Sequence, residues 1–148
     1  ADVPMCLHSR PLRARGIGDE ITLLDNQKPL HLVLVNPGIE IATPEVFGKL
    51  SGKNNPAISE TSVTHLPSIT EISRMRNDLQ APAQLFQPVI SEVLEGIASK
   101  GALVSRMSGS GATCFGVFET LEEATAACRT LKQEKPHWWC VATNTTVA

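Results

Sequence analysis

No apolar run in this sequence approaches the roughly 18 residues that a membrane-spanning helix requires. A helical span is therefore not expected. A strong charge of either sign is also missing. Lys and Arg number 13 against 15 Asp and Glu, for a net charge of −2. That balance offers no basic footprint of the kind nucleic-acid binding needs. The cysteines, Cys6, Cys114, Cys128 and Cys140, form no C-x-x-C pair and lie far apart. Such spacing speaks against a zinc site or a disulfide framework. It fits small buried hydrophobes in a reducing cytoplasm, the compartment expected. The first residues carry no charged-then-apolar leader, so no secretory signal is expected. His8, His31, His65 and His137 lack ligand-like spacing, and no metal is assigned to them.

What is present is an ordinary globular composition, 42% hydrophobic and 19% charged over 148 residues. This suits one domain, or one lobe of a larger one. Residues 6–24 read as a hairpin around Gly16 and Gly18, with Pro11 confining its first strand to an edge. "HLVLVNPG" at 31–38 is a β-branched run closed by turn residues, and reads as a buried strand. Thr43 can cap a short helix over 44–50, with Pro44 at its first position. The polar stretch 51–67 reads as a linker or mobile loop, followed by a short helix over "SITEISRMR".

Residues 82–100 place Leu85, Val89, Val93 and Ile97 four apart, with Pro88 dividing the helix or kinking it and Gly101 ending it. Strands are expected at 102–107, 112–118 and 138–143. Between the last two, Thr120 and Glu123 have the spacing of a capping box. They precede a stripe of Leu121, Ala124, Cys128 and Leu131. Trp138 and Trp139 read as half-buried strand residues. From residue 31 the order predicts an α+β, ferredoxin-like β-α-β-β-α-β sandwich, preceded by the hairpin.

The stretch "SRMSGSGATCFGVFET" at 105–120 is the densest in glycine. It is not a dinucleotide loop, because a strand rather than a helix follows and the third glycine is lacking. It is not a nucleophile elbow, because Met107 and Ser108 stand where glycine is needed. No lysine follows as in a Walker A loop. Two readings stay open: a plain hairpin turn, or a turn whose backbone amides meet an anion. Asn77 and Asp78 are placed to cap the next helix or to shape a substrate region. Arg106 fits a phosphate contact or a surface ion pair.

"RMSGSGATCFGVF" resembles the third motif of the GHMP small-molecule kinases. Other stretches agree in order: "ADVPMCL", "ARGIGDEITLL", "NPGIEIATPEVF" and "RNDLQAPA". The resemblance is narrowest to the branch of the non-mevalonate isoprenoid pathway acting on 4-diphosphocytidyl-2-C-methyl-D-erythritol. It implies an ATP-dependent kinase that phosphorylates the 2-hydroxyl of that small molecule, using ATP and Mg2+, with no nucleic-acid or membrane partner. It implies Asp2 as catalytic base. Ser108, Gly109, Ser110 and Gly111 would support the phosphate loop and the substrate side, with Asn77, Asp78 and Thr43 in the substrate region. It implies that residues 1–28 close an amino-terminal domain and that 29–148 form the carboxy-terminal domain. Alternatives are another kinase of the family, of homoserine or mevalonate type, or a non-catalytic ferredoxin-like ligand-binding module.

The family's P-x-x-x-G-L-G-G-G-S-S loop and its lysine-bearing segment are not among these residues. The resemblance places both before Ala1 and makes the chain a fragment whose bared inter-lobe surface favours self-association. The 148-residue chain alone is expected to transfer no phosphoryl group; ADP release with substrate present is the measurement.

Overall fold

A computed structural model of the chain describes residues 3–25, 28–52, 55 and 67–145. Helix α1 (Val3–His8) leads into an antiparallel hairpin, β1 (Leu12–Arg15) and β2 (Glu20–Leu23), with Arg15 opposite Glu20. Gly16 and Gly18 turn it at φ +63° and +92°, a region costly to any residue with a Cβ. The hairpin is shorter than expected, because the chain before it is helical. Cys6–His8 are helical, and Pro11 lies outside the strand, where its missing N–H costs no ladder bond. Cys6 is exposed, contrary to its reading as a buried hydrophobe, whereas Cys114, Cys128 and Cys140 are buried. Burial pushes the Cys114 thiol up to about 12.

The second sheet has four strands: β3 (His31–Asn36), β4 (Val104–Met107), β5 (Cys114–Phe118) and β6 (Trp139–Asn144). Their order across the sheet is β4-β5-β3-β6, and every neighbouring pair is antiparallel. Helices α2 (Thr43–Gly48), α3 (Ile69–Arg74), α4 (Gln80–Phe86) and α5 (Val89–Ser99) lie between β3 and β4. Helix α6 (Leu121–Glu134) joins β5 to β6. This is the ferredoxin-like arrangement expected from residue 31. Most of the linker expected at 51–67 lies outside the described residues. Among the described residues, no helix is long and apolar enough to cross a membrane.

Helices α5 and α6 cover one face of the sheet. Alternation along β3 sends Val33 and Val35 to that face, where both are fully buried. Ile90, Val93 and Ile97 of α5 and Leu131 of α6 meet them. Pro88 does divide the helix expected at 82–100, standing just before Val89. The division breaks the stripe. Leu85 is 81% exposed, and α4 buries Pro82 and Ala83 instead. Leu121 at the start of α6 is likewise exposed, whereas Ala124, Cys128 and Leu131 are buried as expected. Trp138 is buried and Trp139 exposed, so neither is the half-buried residue expected.

The capping box expected at Thr120 and Glu123 is present: Glu123 N donates to Thr120 Oγ1 and Thr120 N to Glu123 Oε2, both at 3.2 Å. Ser68 and Glu71 form a second one at the start of α3. Thr43 does not cap α2. The cap position is Ala42, with no side-chain hydrogen bond, and Thr43 is the first helical residue.

At Gly116, β5 touches α5 through the missing side chain. A Cβ there would overlap Ile97 Cγ2 and lie 3.1 Å from Phe118 Cε2. Gly116→Ala is expected to cost about 2 kcal/mol, as over-packed cores do. Urea denaturation checks this, with a lowered midpoint at an unchanged slope.

Candidate functional site

The glycine stretch is a turn between the antiparallel strands β4 and β5. Ser108 N donates to Thr113 O at 2.9 Å, and Gly111 N to Ser108 O at 3.1 Å. Gly109 and Gly111 have φ of +56° and +97°, and the Gly111–Ala112 peptide is cis. A Cβ on Gly109 would meet open space. On Gly111 it would lie 3.0 Å from Met107 Sδ and 3.1 Å from Ile41 Cδ1. The two glycines thus have different reasons: backbone conformation at Gly109, and conformation together with close packing at Gly111.

Side chains from three other parts of the chain brace the turn. Asn77, between α3 and α4, donates through Nδ2 to Met107 O at 2.9 Å and to Gly109 O at 2.8 Å. Its Oδ1 accepts from Leu79 N at 3.0 Å, closing a local turn before α4 rather than capping the helix. Gln80, the first residue of α4, accepts from Met107 N at 3.0 Å. Thr43 Oγ1 and Ser110 Oγ are hydrogen-bonded at 2.8 Å. At the end of β3, Asn36 Nδ2 donates to Thr113 Oγ1 at 2.9 Å. Its Oδ1 accepts from Gly38 N at 2.8 Å.

Thr43, Asn77, Ser108, Gly109, Ser110 and Gly111 therefore converge. Asp78 does not join them: its carboxylate accepts from Arg76 Nε and from Asn55 Nδ2, each at 2.7 Å. Arg106 does not form the surface ion pair expected of it among the described residues. Its guanidinium donates to Ile72 O at 2.8 Å and Ser73 O at 3.3 Å, satisfying carbonyls at the end of α3. Partial burial lowers its pKa from the usual value. Asp2 and His65 lie outside the described residues. Gln80 and Asn36 are braces that sequence reading missed. Asn36 did carry a signal, the Asn-Pro-Gly turn chemistry, whereas Gln80 carried none.

The amides of Gly109 and Ser110 make no hydrogen bond among the described residues. Unpaired amides on a glycine turn form a concavity suited to an anion such as phosphate. Among the described residues, no group of three or more His, Cys, Asp or Glu side chains could hold a metal ion.

Residues 64–137, half of the chain, match the family profile described as GHMP kinases C terminal. The chain belongs to the GHMP kinase family. The 4-diphosphocytidyl-2-C-methyl-D-erythritol kinase of Rhizobium etli (strain CIAT 652) is 46% identical over 147 residues, covering 98% of this chain and 50% of that protein. The chain thus spans about half the length of the curated relatives it matches. A crystal structure of 4-(cytidine 5'-diphospho)-2C-methyl-D-erythritol kinase superposes with a TM-score of 0.75 at 29% identity, covering 99% of this chain and 54% of that one. Homoserine kinase from Cytophaga hutchinsonii superposes at 0.72 with 18% identity, covering 98% of this chain and 50% of that one, a likeness of fold alone.

Asn77 supplies two donors to two carbonyls. A carboxylate of nearly the same shape supplies none. Asn77→Asp is expected to cost about 2–3 kcal/mol, since it sets a charge against unpaired carbonyl oxygens. Urea denaturation at neutral pH measures the loss, and Asn77→Ala should cost less.

Proposed function

We propose that this chain serves in an ATP-dependent kinase that phosphorylates the 2-hydroxyl of 4-diphosphocytidyl-2-C-methyl-D-erythritol, in the non-mevalonate isoprenoid pathway. The observation that carries the proposal is the identity to relatives bearing that kinase name across nearly the whole chain. It is not confined to the family segment at 64–137. The likeness to homoserine kinase lends its substrate no support beyond the fold.

In this reading Asp2 is the general base. Its carboxylate takes the proton of the substrate hydroxyl as that oxygen bonds to the γ-phosphorus, and the bond to the ADP oxygen breaks. The amides of Gly109 and Ser110 offer fixed donors to phosphate oxygens, and donors held in place before reaction stabilise developing charge without reorganising. Thr43 and Asn77 act beside them by holding the turn. Mg2+ belongs to phosphoryl transfer in general, where one or two carboxylates and the substrate phosphates commonly hold it, and no step is assigned to it here. Residues 1–28 would close a preceding domain and 29–148 would form the carboxy-terminal one. The separate two-stranded and four-stranded sheets support that division. Cysteines that are all unpaired are in keeping with a reducing cytoplasm.

The test is ADP formation by the protein expressed from its complete reading frame. Turnover is expected with the cytidine-linked alcohol and not with homoserine or mevalonate. Turnover of homoserine or mevalonate instead would overturn the substrate. Binding of the cytidine compound without transfer would point to the non-catalytic module. In the same enzyme Gly111→Ala, and more so Gly111→Val, is expected to lower kcat about tenfold or more while the protein stays folded. Unchanged kinetics would remove the turn from the mechanism.

A further inference from the structure

We infer that Gln80 is a positioning residue for the Ser108–Gly111 turn, acting through the Met107 peptide. The inference rests on the reading of that turn as a phosphate-side loop. The order β4-β5-β3-β6 makes β4 an outer strand, with a ladder partner on one side only. Peptide groups alternate in direction along an antiparallel strand. Ser108 N is turned toward β5, where it donates to Thr113 O. Met107, one residue earlier, directs its N–H and C=O off the edge of the sheet, where no strand lies among the described residues. Its residue is 1% exposed, so water is a poor substitute partner.

Two side chains stand in for the absent strand. Gln80 Oε1 accepts from Met107 N at 3.0 Å, and Asn77 Nδ2 donates to Met107 O at 2.9 Å. An acceptor and a donor three residues apart, at the start of α4, thus reproduce one rung of a ladder. Met107 carries this hold into the turn. Its sulfur lies 3.0 Å from where a Gly111 Cβ would stand. The nitrogen of Asn77 that holds Met107 O also holds Gly109 O. Moving the Met107 peptide would therefore move both ends of the segment that exposes the Gly109 and Ser110 amides. Among the described residues Gln80 makes no hydrogen bond to residues 108–111, so its hold on the turn runs through Met107.

Gln80→Met removes the acceptor at nearly constant size, and Gln80→Glu keeps an acceptor oxygen. Native-state amide exchange on the full-length protein reads the clamp without substrate. In wild type the Met107 amide is expected to be protected like the β3 amides. In Gln80→Met the amides of Met107 and residues 109–111 should exchange about tenfold faster or more, with Gln80→Glu within about threefold of wild type. In the kinase assay Gln80→Met should lower kcat about tenfold while KM for both substrates moves less than about threefold, and Gln80→Glu should restore it.

A Met107 amide that exchanges freely in wild type overturns the inference, and needs no variant to fold. So does Gln80→Met with unchanged exchange in the turn, or Gln80→Glu behaving as Gln80→Met. Altered exchange in a protein that turns over none of the alcohols supports the clamp and counts against the kinase reading alone.

Discussion

β3 is hydrogen-bonded along both edges, to β5 through His31–Val35 and to β6 through His31–Asn36. That double pairing limits where every other element can lie. A slip of one residue would carry Val33 and Val35 from the helix-covered face to the opposite one and bring Leu32 and Leu34 in their place. The leucines would bury as much apolar surface as the valines, so what opposes the slip is fit. Bulkier side chains would enter the space packed against Ile90, Val93, Ile97 and Leu131, and over-packing costs about 1–3 kcal/mol. With β3 fixed, Gly116 falls opposite Val33, where Ile97 of α5 needs the space. Asn36 then falls at the strand end, within reach of Thr113.

The glycine turn has little structure of its own. Two backbone hydrogen bonds close it, and the rest of its hold comes from residues distant in sequence: Asn36, Thr43, Asn77 and Gln80. Each of these bonds exists only after the strands and helices have assembled. The turn is thus a product of tertiary structure, and its Gly109 and Ser110 amides have no partner among the described residues. A site that presents amides to an anion requires this division of labour, since an amide used for bracing is lost for binding.

The elements that could be read from the sequence are those whose causes are local. The β-branched run of β3, the Thr120–Glu123 box and the break at Pro88 each depend on residues within a few positions. The turn at 108–111 was legible as a turn for the same reason, through its glycines. Failures occurred where a distant partner outbid a local rule. Thr43 satisfies the rule for a helix cap, but Ser110 lies within reach of its hydroxyl and Ala42 takes the cap position. Leu85 is the exception, failing for a local reason: the break at Pro88 ends its helix and the stripe does not carry across. Arg106, read as a partner for a surface carboxylate, donates instead to two carbonyls at the end of α3. Gln80 had no local signature, because its partner lies 27 residues away.

The Met107 clamp also bears on how the lobe behaves among its own kind. Outer strands are where sheets recruit strangers, since unpaired peptide groups template further strands and lead to aggregates. β4 and β6 are the outer strands of the larger sheet. At the end of β4 the Met107 groups that would receive an incoming strand are already held by Asn77 and Gln80. Two side chains that brace the turn therefore also close that corner of the sheet to strand addition, which is a contribution to solubility rather than to chemistry.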